Sequence, residues 1–259
     1  MAVFSASDVV HPFDESAKLQ LESTTGLQET VQAFLKMCGE REAHNVHLSE
    51  CLRLGPRQLP EIYRLLPPIC DAFGIPEPEL YLAKGGVNAY TFGHVRASII
   101  IFSELLDHLA TDEIEAVIAH ECGHILLGHV LYHSMAQFVD MAPDVMAQFL
   151  DMAPDVGSYA ADLSVLLTSA SAPVRSALTH WSHKSELSAD RAAAAYLGSA
   201  DAITRVIFRF AGVEADSVLA VRVREIQAWT ATPGFGRLAE AAAAARAADA
   251  ITMRPPVMG

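Results

Sequence analysis

The chain has 259 residues, of which 51% are apolar and 19% charged, and its formal net charge at pH 7 is −13. This is the composition of a globular protein that can bury a full core within one domain. Nucleic-acid binding requires a clustered basic face, and the acidic balance argues against one, so we expect no nucleic-acid partner.

The cysteines and the first residues indicate the compartment. The four cysteines are scattered and form no CxxC pair, which fits a reducing environment. The start, MAVFSASDVVHPFDESAK, lacks a basic segment followed by a continuous apolar stretch. No window approaches the roughly twenty apolar residues of a membrane-spanning helix. We therefore expect a soluble, cytoplasmic protein.

Hydrophobic periodicity and turn residues predict the secondary structure. In chain order, the elements are an irregular, partly acidic arm (1–26), a helix (27–44), a strand (46–54), a helix interrupted at Pro67-Pro68 (56–74), three strands (79–84, 87–92 and 97–102), a long helix (111–133), another helix (185–198), an alanine-rich helix (237–251) and a loose tail (252–259). Glycines separate the three strands, so we expect a small meander. The whole chain, 1–259, is expected to form a single domain.

A tandem repeat lies between the two central helices, in a predicted insertion over residues 134–179. MAQFVDMAPDV (135–145) is followed at once by MAQFLDMAPDV (146–156), an eleven-residue copy with one change. Its methionine and phenylalanine content would suit a lid or a segment that touches a membrane surface. A duplication tolerated in a surface insertion explains the repeat equally simply, and we favour this second interpretation.

The stretch AVIAHECGHILLGHV (116–130) on the long helix carries the chemistry. His120 and His124 are four residues apart, so both project from one helix face and their imidazoles can reach one zinc ion. Glu121 lies about 100° round the helix, beside that face, where it can act as a general base. Cys122 points elsewhere and is expected in the core.

A third histidine, His129, follows in the same stretch. On a continuous helix it would lie about 180° from His120 and about 140° from His124, and would point away from the metal. We therefore expect His129 and His133 to form a structural pair on the far side. The missing ligand must come from elsewhere in the chain.

The segment SELSAD (185–190) offers that ligand. Glu186 could complete a His₂Glu zinc site, and Asp190, one turn later on the same face, could fix the tautomer of a ligand histidine. A solvated helix face would explain such a pair as well. The apolar neighbours Leu187 and Ala189 favour the ligand interpretation.

HECGHILLGH together with ELSADRA resembles the zinc metallopeptidases of the CAAX-prenyl protease and HtpX-like type, peptidase family M48. The resemblance spans about residues 70 to 200 and also covers VNAYTFG (87–93). It implies a mostly helical α+β fold, zincin-like (gluzincin), with a small sheet beside the active-site helix. It implies one Zn²⁺ per chain, held by the two histidines and the distal glutamate. The substrate would pair with the edge strand at Asn88, Ala89 and Tyr90.

Two departures from the family pattern stand out. Membrane members carry spanning helices, which this chain lacks, so it resembles a soluble member; peripheral membrane contact stays open. Many members also have a C-terminal His-Pro followed by Arg, whose histidine is associated with the oxyanion. Here Thr232 stands in the nearest such position, and His180 and His183 are the alternative oxyanion candidates, with Tyr90 a weaker one.

The predicted function is that of a zinc-dependent metalloendopeptidase, which hydrolyses peptide bonds with a metal-activated water and a glutamate general base. Its partner would be a peptide or protein substrate. Two alternatives stay open. One is a zinc- and peptide-binding module with a chaperone-like or regulatory role and little turnover. The other is a narrow maturation enzyme that cuts a single partner. The sequence does not predict the oligomeric state.

Overall fold

A computed structural model describes residues 2–37, 51–93, 96–140, 171–210 and 217–252. The helices are α1 (Ala6–Val9), α2 (Pro12–Glu22), α3 (Leu27–Met37), α4 (Pro60–Tyr63), α5 (Leu66–Phe73), α6 (Ser103–His108), α7 (Thr111–Leu126), α8 (Val130–Asp140), α9 (Ala172–Leu197), α10 (Asp201–Phe210), α11 (Ser217–Thr230) and α12 (Pro233–Thr252). The strands are β1 (Leu52–Arg53), β2 (Glu79–Ala83), β3 (Ala89–Gly93) and β4 (Ala97–Phe102). The fold is therefore mostly helical with a small sheet, an α+β arrangement.

The sheet is mixed, and its order is β1-β2-β4-β3. β4 lies between β2, to which it is parallel, and β3, to which it is antiparallel. The three strands predicted over 79–84, 87–92 and 97–102 are confirmed within a residue or two, whereas only Leu52–Arg53 forms a strand in the described part of 46–54. The predicted meander is wrong. β4 is the most apolar strand, and Ile99, Ile100 and Ile101 are fully buried, so it takes the central position. This placement leaves β3 at one edge.

The N-terminal residues form helices, so the predicted irregular arm is wrong. Pro12 occupies the first turn of α2, and the His11 side chain accepts a hydrogen bond from the Phe13 backbone N–H. Ala17 and Leu21, four residues apart, are buried. The apolar stripe of α2 packs against α9, and this long-range burial orders a segment whose sequence looks irregular.

The long helix predicted over 111–133 is broken. α7 ends at Leu126, Gly128 adopts a left-handed φ of +68°, and α8 begins at Val130. A glycine in this conformation is a common helix terminator because it has no Cβ to clash. The two helices are bent by 107°, and no single helix among the described residues is long and apolar enough to span a membrane, although this bent pair reaches that length and composition.

Other helix boundaries also differ from the predicted ones. The break in the helix predicted over 56–74 falls at Arg64–Leu65, because Pro67 and Pro68 are accommodated in the first turn of α5. α9 begins at Ala172, so residues 172–179 of the expected insertion belong to this helix. α12 contains the predicted alanine-rich helix. The second copy of the repeat, residues 141–145 of the first copy, residues 46–50 and the tail after Thr252 lie outside the described residues.

A close contact brings α7 and α9 together at the centre of the fold. A Cβ added at Gly123 would lie 2.8 Å from the Ala192 Cβ and 3.3 Å from the Ala189 Cα. Glycine facing alanine lets the two helix backbones approach closely. Since Gly123 lies between His120 and His124, this contact places both histidines against the turn of α9 that carries Glu186 and Asp190.

Candidate metal centre and active site

Three side chains from α7 and α9 converge on one point. His120 Nε2 and His124 Nε2 are 3.1 Å apart. Glu186 Oε2 is 3.3 Å from His120 Nε2, and Glu186 Oε1 is 3.4 Å from His124 Nε2. Both histidines are buried, and about a quarter of the Glu186 side chain is exposed. The structure therefore brings together the three predicted ligands from two helices.

Asp190 lies behind His120, on the side away from this convergence. Its Oδ1 is 3.1 Å from His120 Nδ1, at an angle that departs from a linear hydrogen bond. Asp190 is completely buried. Burial alone would lower the pKa of His120, but Asp190 and Glu186 outweigh it and raise the pKa to about 10. Without a metal, both ring nitrogens of His120 are therefore protonated. A metal ion that binds Nε2 would have to replace the proton there.

Glu121 faces the sheet rather than the other carboxylates. The Thr91 hydroxyl on β3 donates a 2.6 Å hydrogen bond to Glu121 Oε2 and also lies 3.2 Å from the Glu121 carbonyl oxygen. Burial raises the pKa of Glu121, against the opposing effects of His120 and the Thr91 hydrogen bond. A buried carboxyl with a raised pKa beside two converging imidazoles is suited to proton transfer.

Arg222 on α11 is a site residue that the sequence analysis missed. Its guanidinium donates two hydrogen bonds to Asp190, at 2.7 and 2.8 Å, and lies 3.0 Å from Glu186 Oε2. Burial lowers the pKa of Arg222, but the charges of Asp190 and Glu186 outweigh it and raise the pKa above its usual value. Arg222 thus compensates two buried carboxylates that the histidines alone would leave in excess.

The sequence held only an indirect signal for this arginine. Glu121, Glu186 and Asp190 together carry up to three negative charges, one more than the predicted zinc ion balances beside neutral histidines, so a further cation is expected nearby. Arg222 and Arg224 lie two residues apart in α11, and the sequence does not separate them. In the structure, 15% of the Arg222 side chain is exposed against 70% for Arg224.

The predicted substrate segment lies at the edge of the sheet. The antiparallel register pairs Tyr90 with Ile100 and Phe92 with Ser98, and Asn88 accepts a backbone hydrogen bond from Phe102. The backbone groups of the residues in between, Ala89 and Thr91, therefore point away from β4.

Two side chains modify this edge. Asn88 Oδ1 accepts a hydrogen bond from the Ala89 backbone N–H. Ser134 of α8 bonds to both the N–H and the carbonyl of Gly93, which closes the far end of the edge. The Tyr90 side chain lies on the opposite sheet face from Thr91 and so points away from Glu121.

Two oxyanion candidates of the sequence analysis, His180 and His183, belong to α9, the helix that carries Glu186. His180 and His183 are exposed on α9, and within the described ranges no hydrogen bond or ion pair joins either of them to His120, His124 or Glu186. Thr232 bonds to the Trp229 carbonyl at the start of α12. The assignment of an oxyanion-stabilising residue stays a prediction.

His129 and His133 occupy positions that the sequence analysis did not predict. Because the chain turns at Gly128, His129 Nδ1 comes within 3.0 Å of His124 Nδ1, and the His133 ring centroid lies 4.3 Å from that of His124. The expectation that these two histidines lie on the far side of a continuous helix is wrong.

Comparison with known proteins identifies relatives. The sequence model of peptidase family M48 matches residues 56–245, well over half of the chain. The plastoglobule-localized metallopeptidase 48 of Arabidopsis thaliana chloroplasts is 25% identical over 210 residues, covering 80% of this chain and 56% of that protein. A protease HtpX homolog of Trichormus variabilis is 30% identical over 165 residues, covering 59% of this chain and 57% of that protein.

A third relative matches a shorter stretch of the chain at higher identity. The metalloprotease LoiP of Escherichia coli is 44% identical over 52 residues, which cover 20% of this chain and 19% of that protein. The chain spans a little over half the length of the first two relatives. No solved structure matches the chain.

Proposed function

Because the chain belongs to peptidase family M48, we propose that it is a zinc-dependent metalloendopeptidase with a zincin-like active site. The observation that carries this proposal is the convergence of His120 Nε2, His124 Nε2 and the Glu186 carboxylate within 3.4 Å of one another. Two imidazoles and one carboxylate are a donor set of catalytic zinc sites, which keep a further position open. The residues present therefore fit one zinc ion per chain.

The surrounding side chains prepare these ligands. Asp190 faces Nδ1 of His120, so the proton is kept on that nitrogen and Nε2 is left for the metal. Arg222 holds the Glu186 and Asp190 carboxylates from the other side. Burial would raise the pKa of Glu186, but Arg222, His120 and His124 lower it well below its usual range, so the ligand carboxylate is ionised.

Zinc bound here would polarise the scissile carbonyl and lower the pKa of a water molecule toward about 7. Glu121 would take the proton from that water and pass it to the leaving amine. Thr91 restricts the Glu121 carboxylate through its 2.6 Å hydrogen bond, so the base is held in one orientation before substrate arrives.

The same strand provides the place for substrate. An extended peptide could add to the edge of the sheet through the Ala89 carbonyl and the backbone groups of Thr91, in the manner of β-strand addition. The peptide would then run along β3, whose residue Thr91 also holds the Glu121 carboxylate. Ser134 stops this pairing at Gly93, which limits the strand on that side.

The test uses purified full-length protein and a mixed peptide library, with and without a chelator. We expect chelator-sensitive cleavage that zinc restores. Glu121→Gln should lose at least about 100-fold in cleavage rate and keep its zinc, since a general base contributes about 10²–10⁴-fold. Glu115→Gln, six residues earlier on α7, is the matched control and should cleave normally.

Two further outcomes discriminate. Glu186→Ala should lower the zinc content, and unchanged stoichiometry in that variant would remove Glu186 from the ligand set. Full activity in Glu121→Gln would reject the base. Zinc and peptide binding without any cleavage by the wild-type protein would instead support the binding module.

A further inference from the structure

His124 is connected through a second imidazole to a buried carboxylate. His124 Nδ1 lies 3.0 Å from Nδ1 of His129, and His129 Nε2 lies 3.1 Å from Asp14 Oδ2. All three side chains are buried. The contact requires the turn at Gly128, which places His129 beside His124 rather than on the far side of a continuous helix.

Asp14 is held in place from the opposite direction by α9. Trp181 Nε1 donates to Asp14 Oδ1 at 3.1 Å, and the Ser188 hydroxyl donates to Asp14 Oδ2 at 2.5 Å. Each Asp14 oxygen thus accepts a hydrogen bond from α9, the arrangement of an ionised carboxylate, which only accepts hydrogen bonds.

The direction of each hydrogen bond between Asp14, His129 and His124 follows from the fact that Asp14 only accepts. Because Asp14 only accepts, His129 must donate from Nε2. In neutral His129 the other nitrogen, Nδ1, is then an acceptor, so His124 must donate from its own Nδ1. This leaves the lone pair of His124 on Nε2, the nitrogen that converges with His120 and Glu186.

We propose that Asp14 and His129 are positioning residues that fix the tautomer and ring orientation of His124 for metal binding. The inference rests on the proposed function in that it concerns the same zinc site. Each ligand histidine then has its own support: Asp190 lies directly behind His120, whereas Asp14 acts on His124 through His129. The N-terminal helix α2 thereby becomes part of the active site.

A second metal ion is the competing explanation, because donor atoms of His124, His129 and His133 also lie within 4.8 Å of one another. That site would require His124 to bind metals through both nitrogens and lose both ring protons. His133 Nε2 is already 2.8 Å from the Ser185 hydroxyl, and His129 Nε2 is at Asp14. The contacts therefore favour the hydrogen-bond chain.

The first measurement is made on the wild-type protein without metal, so it does not depend on catalysis. Proton–nitrogen correlation spectra of the histidine side chains report which ring nitrogen carries the proton. We expect His124 to be protonated at Nδ1 and His129 at Nε2. Protonation of His124 at Nε2 would overturn the proposal even if the protein is an active zinc protease.

The second measurement is zinc affinity, by competition with a chelator. His129→Phe removes the acceptor from His124 and should weaken zinc binding by about 10–100-fold, the usual effect of losing such a supporting contact. His129→Gln presents one acceptor and one donor, as the imidazole does, and should restore most of the affinity and the Nδ1–H form of His124. Equal affinity in His129→Phe and wild type would overturn the proposal.

Thr30→Val is the control for a general loss of packing near the N-terminal helices. Thr30 is buried and its hydroxyl donates to the Gly26 carbonyl, outside the contacts that join Asp14 to His124, so zinc affinity should stay near the wild-type value. Asp14→Leu should lower zinc affinity as His129→Phe does, and an equal loss in Thr30→Val would overturn the proposal. Two zinc ions per wild-type chain, one of them lost in His129→Phe, would establish the second metal instead. Absence of zinc binding by the wild type would reject the proposed function, while the tautomer spectra still decide this inference.

Discussion

Carboxylates lie against arginines at both ends of α7, but the two clusters have different roles. At the N-terminal end, Glu113 accepts hydrogen bonds from the Ala110 backbone N–H, Arg205 and Arg209. At the C-terminal end, Arg222 clamps Glu186 and Asp190 beside the two histidines.

The two clusters differ in whether metal-binding atoms converge on a common point. Around Glu113, the hydrogen bonds cap a helix terminus, and the described contacts leave no set of donor atoms facing a common point. Around His120 and His124, the outer contacts hold the far sides of the rings and leave two Nε2 atoms converging on a carboxylate. A buried charge cluster thus indicates function only where its supporting contacts direct lone pairs to a shared position.

The arginine clamps provide the strongest test of this contrast. The Arg222 side chain is 15% exposed, whereas Arg205 and Arg209 are about half exposed. Arg222→Met should leave the buried Asp190 and the partly buried Glu186 with His120 as their positive partner, one charge too few, and we expect the free energy of unfolding of the metal-free protein to fall by about 3 kcal/mol. Arg205→Met should cost at most about 1 kcal/mol.

Urea unfolding with and without zinc measures both variants. Zinc should recover part of the Arg222→Met loss, because a cation at Glu186 replaces some of the missing charge, and should not rescue Arg205→Met to the same extent. Arg224→Met, on the same helix and 70% exposed, is the control and should change stability by less than about 0.5 kcal/mol. Equal losses in Arg222→Met and Arg224→Met would contradict the clamp.

The middle of α7 joins the two ends, and Gly123 is the position that tests it. Gly123→Ala gains up to about 1 kcal/mol of helix propensity. Its new Cβ would lie 2.8 Å from that of Ala192, and overpacking costs about 1–3 kcal/mol. We expect a net loss of up to about 2 kcal/mol and weaker zinc binding, because α9 and Glu186 must move away from α7.

Gly236→Ala is the matched control for this substitution. Gly236 also lies in a helix, but a Cβ there would meet no atom within 4 Å. The control should therefore be neutral or stabilising by up to about 1 kcal/mol, with unchanged zinc affinity. Thermal unfolding and chelator competition on both variants decide the point, and a stabilised Gly123→Ala with normal zinc affinity would show that the close approach does not position the site.

Local spacing predicted the part of the site that lies within single helices. His120 and His124 share a face because they are four residues apart, and Glu186 and Asp190 share one for the same reason. Most of the strands and helices were also predictable, since their apolar patterns are regular. The strand order was not, because parallel pairing of β2 with β4 depends on which strand buries both faces.

The remaining site residues arrive through contacts that sequence spacing does not encode. Asp14 meets Trp181 across 167 positions of the chain. Arg222 differs from Arg224 only by which side of α11 packs inward. The apolar pattern runs without interruption across Gly128, so the turn that moves His129 is visible only as one glycine. Tertiary packing decides all three.

The smallest expected effect concerns Glu113 at the N-terminal end of α7. The pH dependence of protein stability reports on its charge. Burial would raise the pKa of Glu113, but the Ala110 N–H, Arg209 and Arg205 lower it. A carboxyl whose pKa is lower in the folded than in the unfolded state stabilises the fold above its unfolded pKa, and this contribution is lost as pH falls through the folded pKa. Glu113→Gln should therefore cost about 1 kcal/mol at neutral pH.

Below the pKa of Glu113 in the fold, the two proteins should have the same stability. Urea unfolding of both proteins from pH 7 downward measures this difference, and zinc affinity at pH 7 should be unchanged because Glu113 and Glu121 are separated by two helical turns. A difference that persists undiminished at low pH would show that Glu113 acts through its shape rather than its charge. A loss of zinc affinity in Glu113→Gln would show that the two ends of α7 are coupled, and the functional contrast between them would then no longer hold.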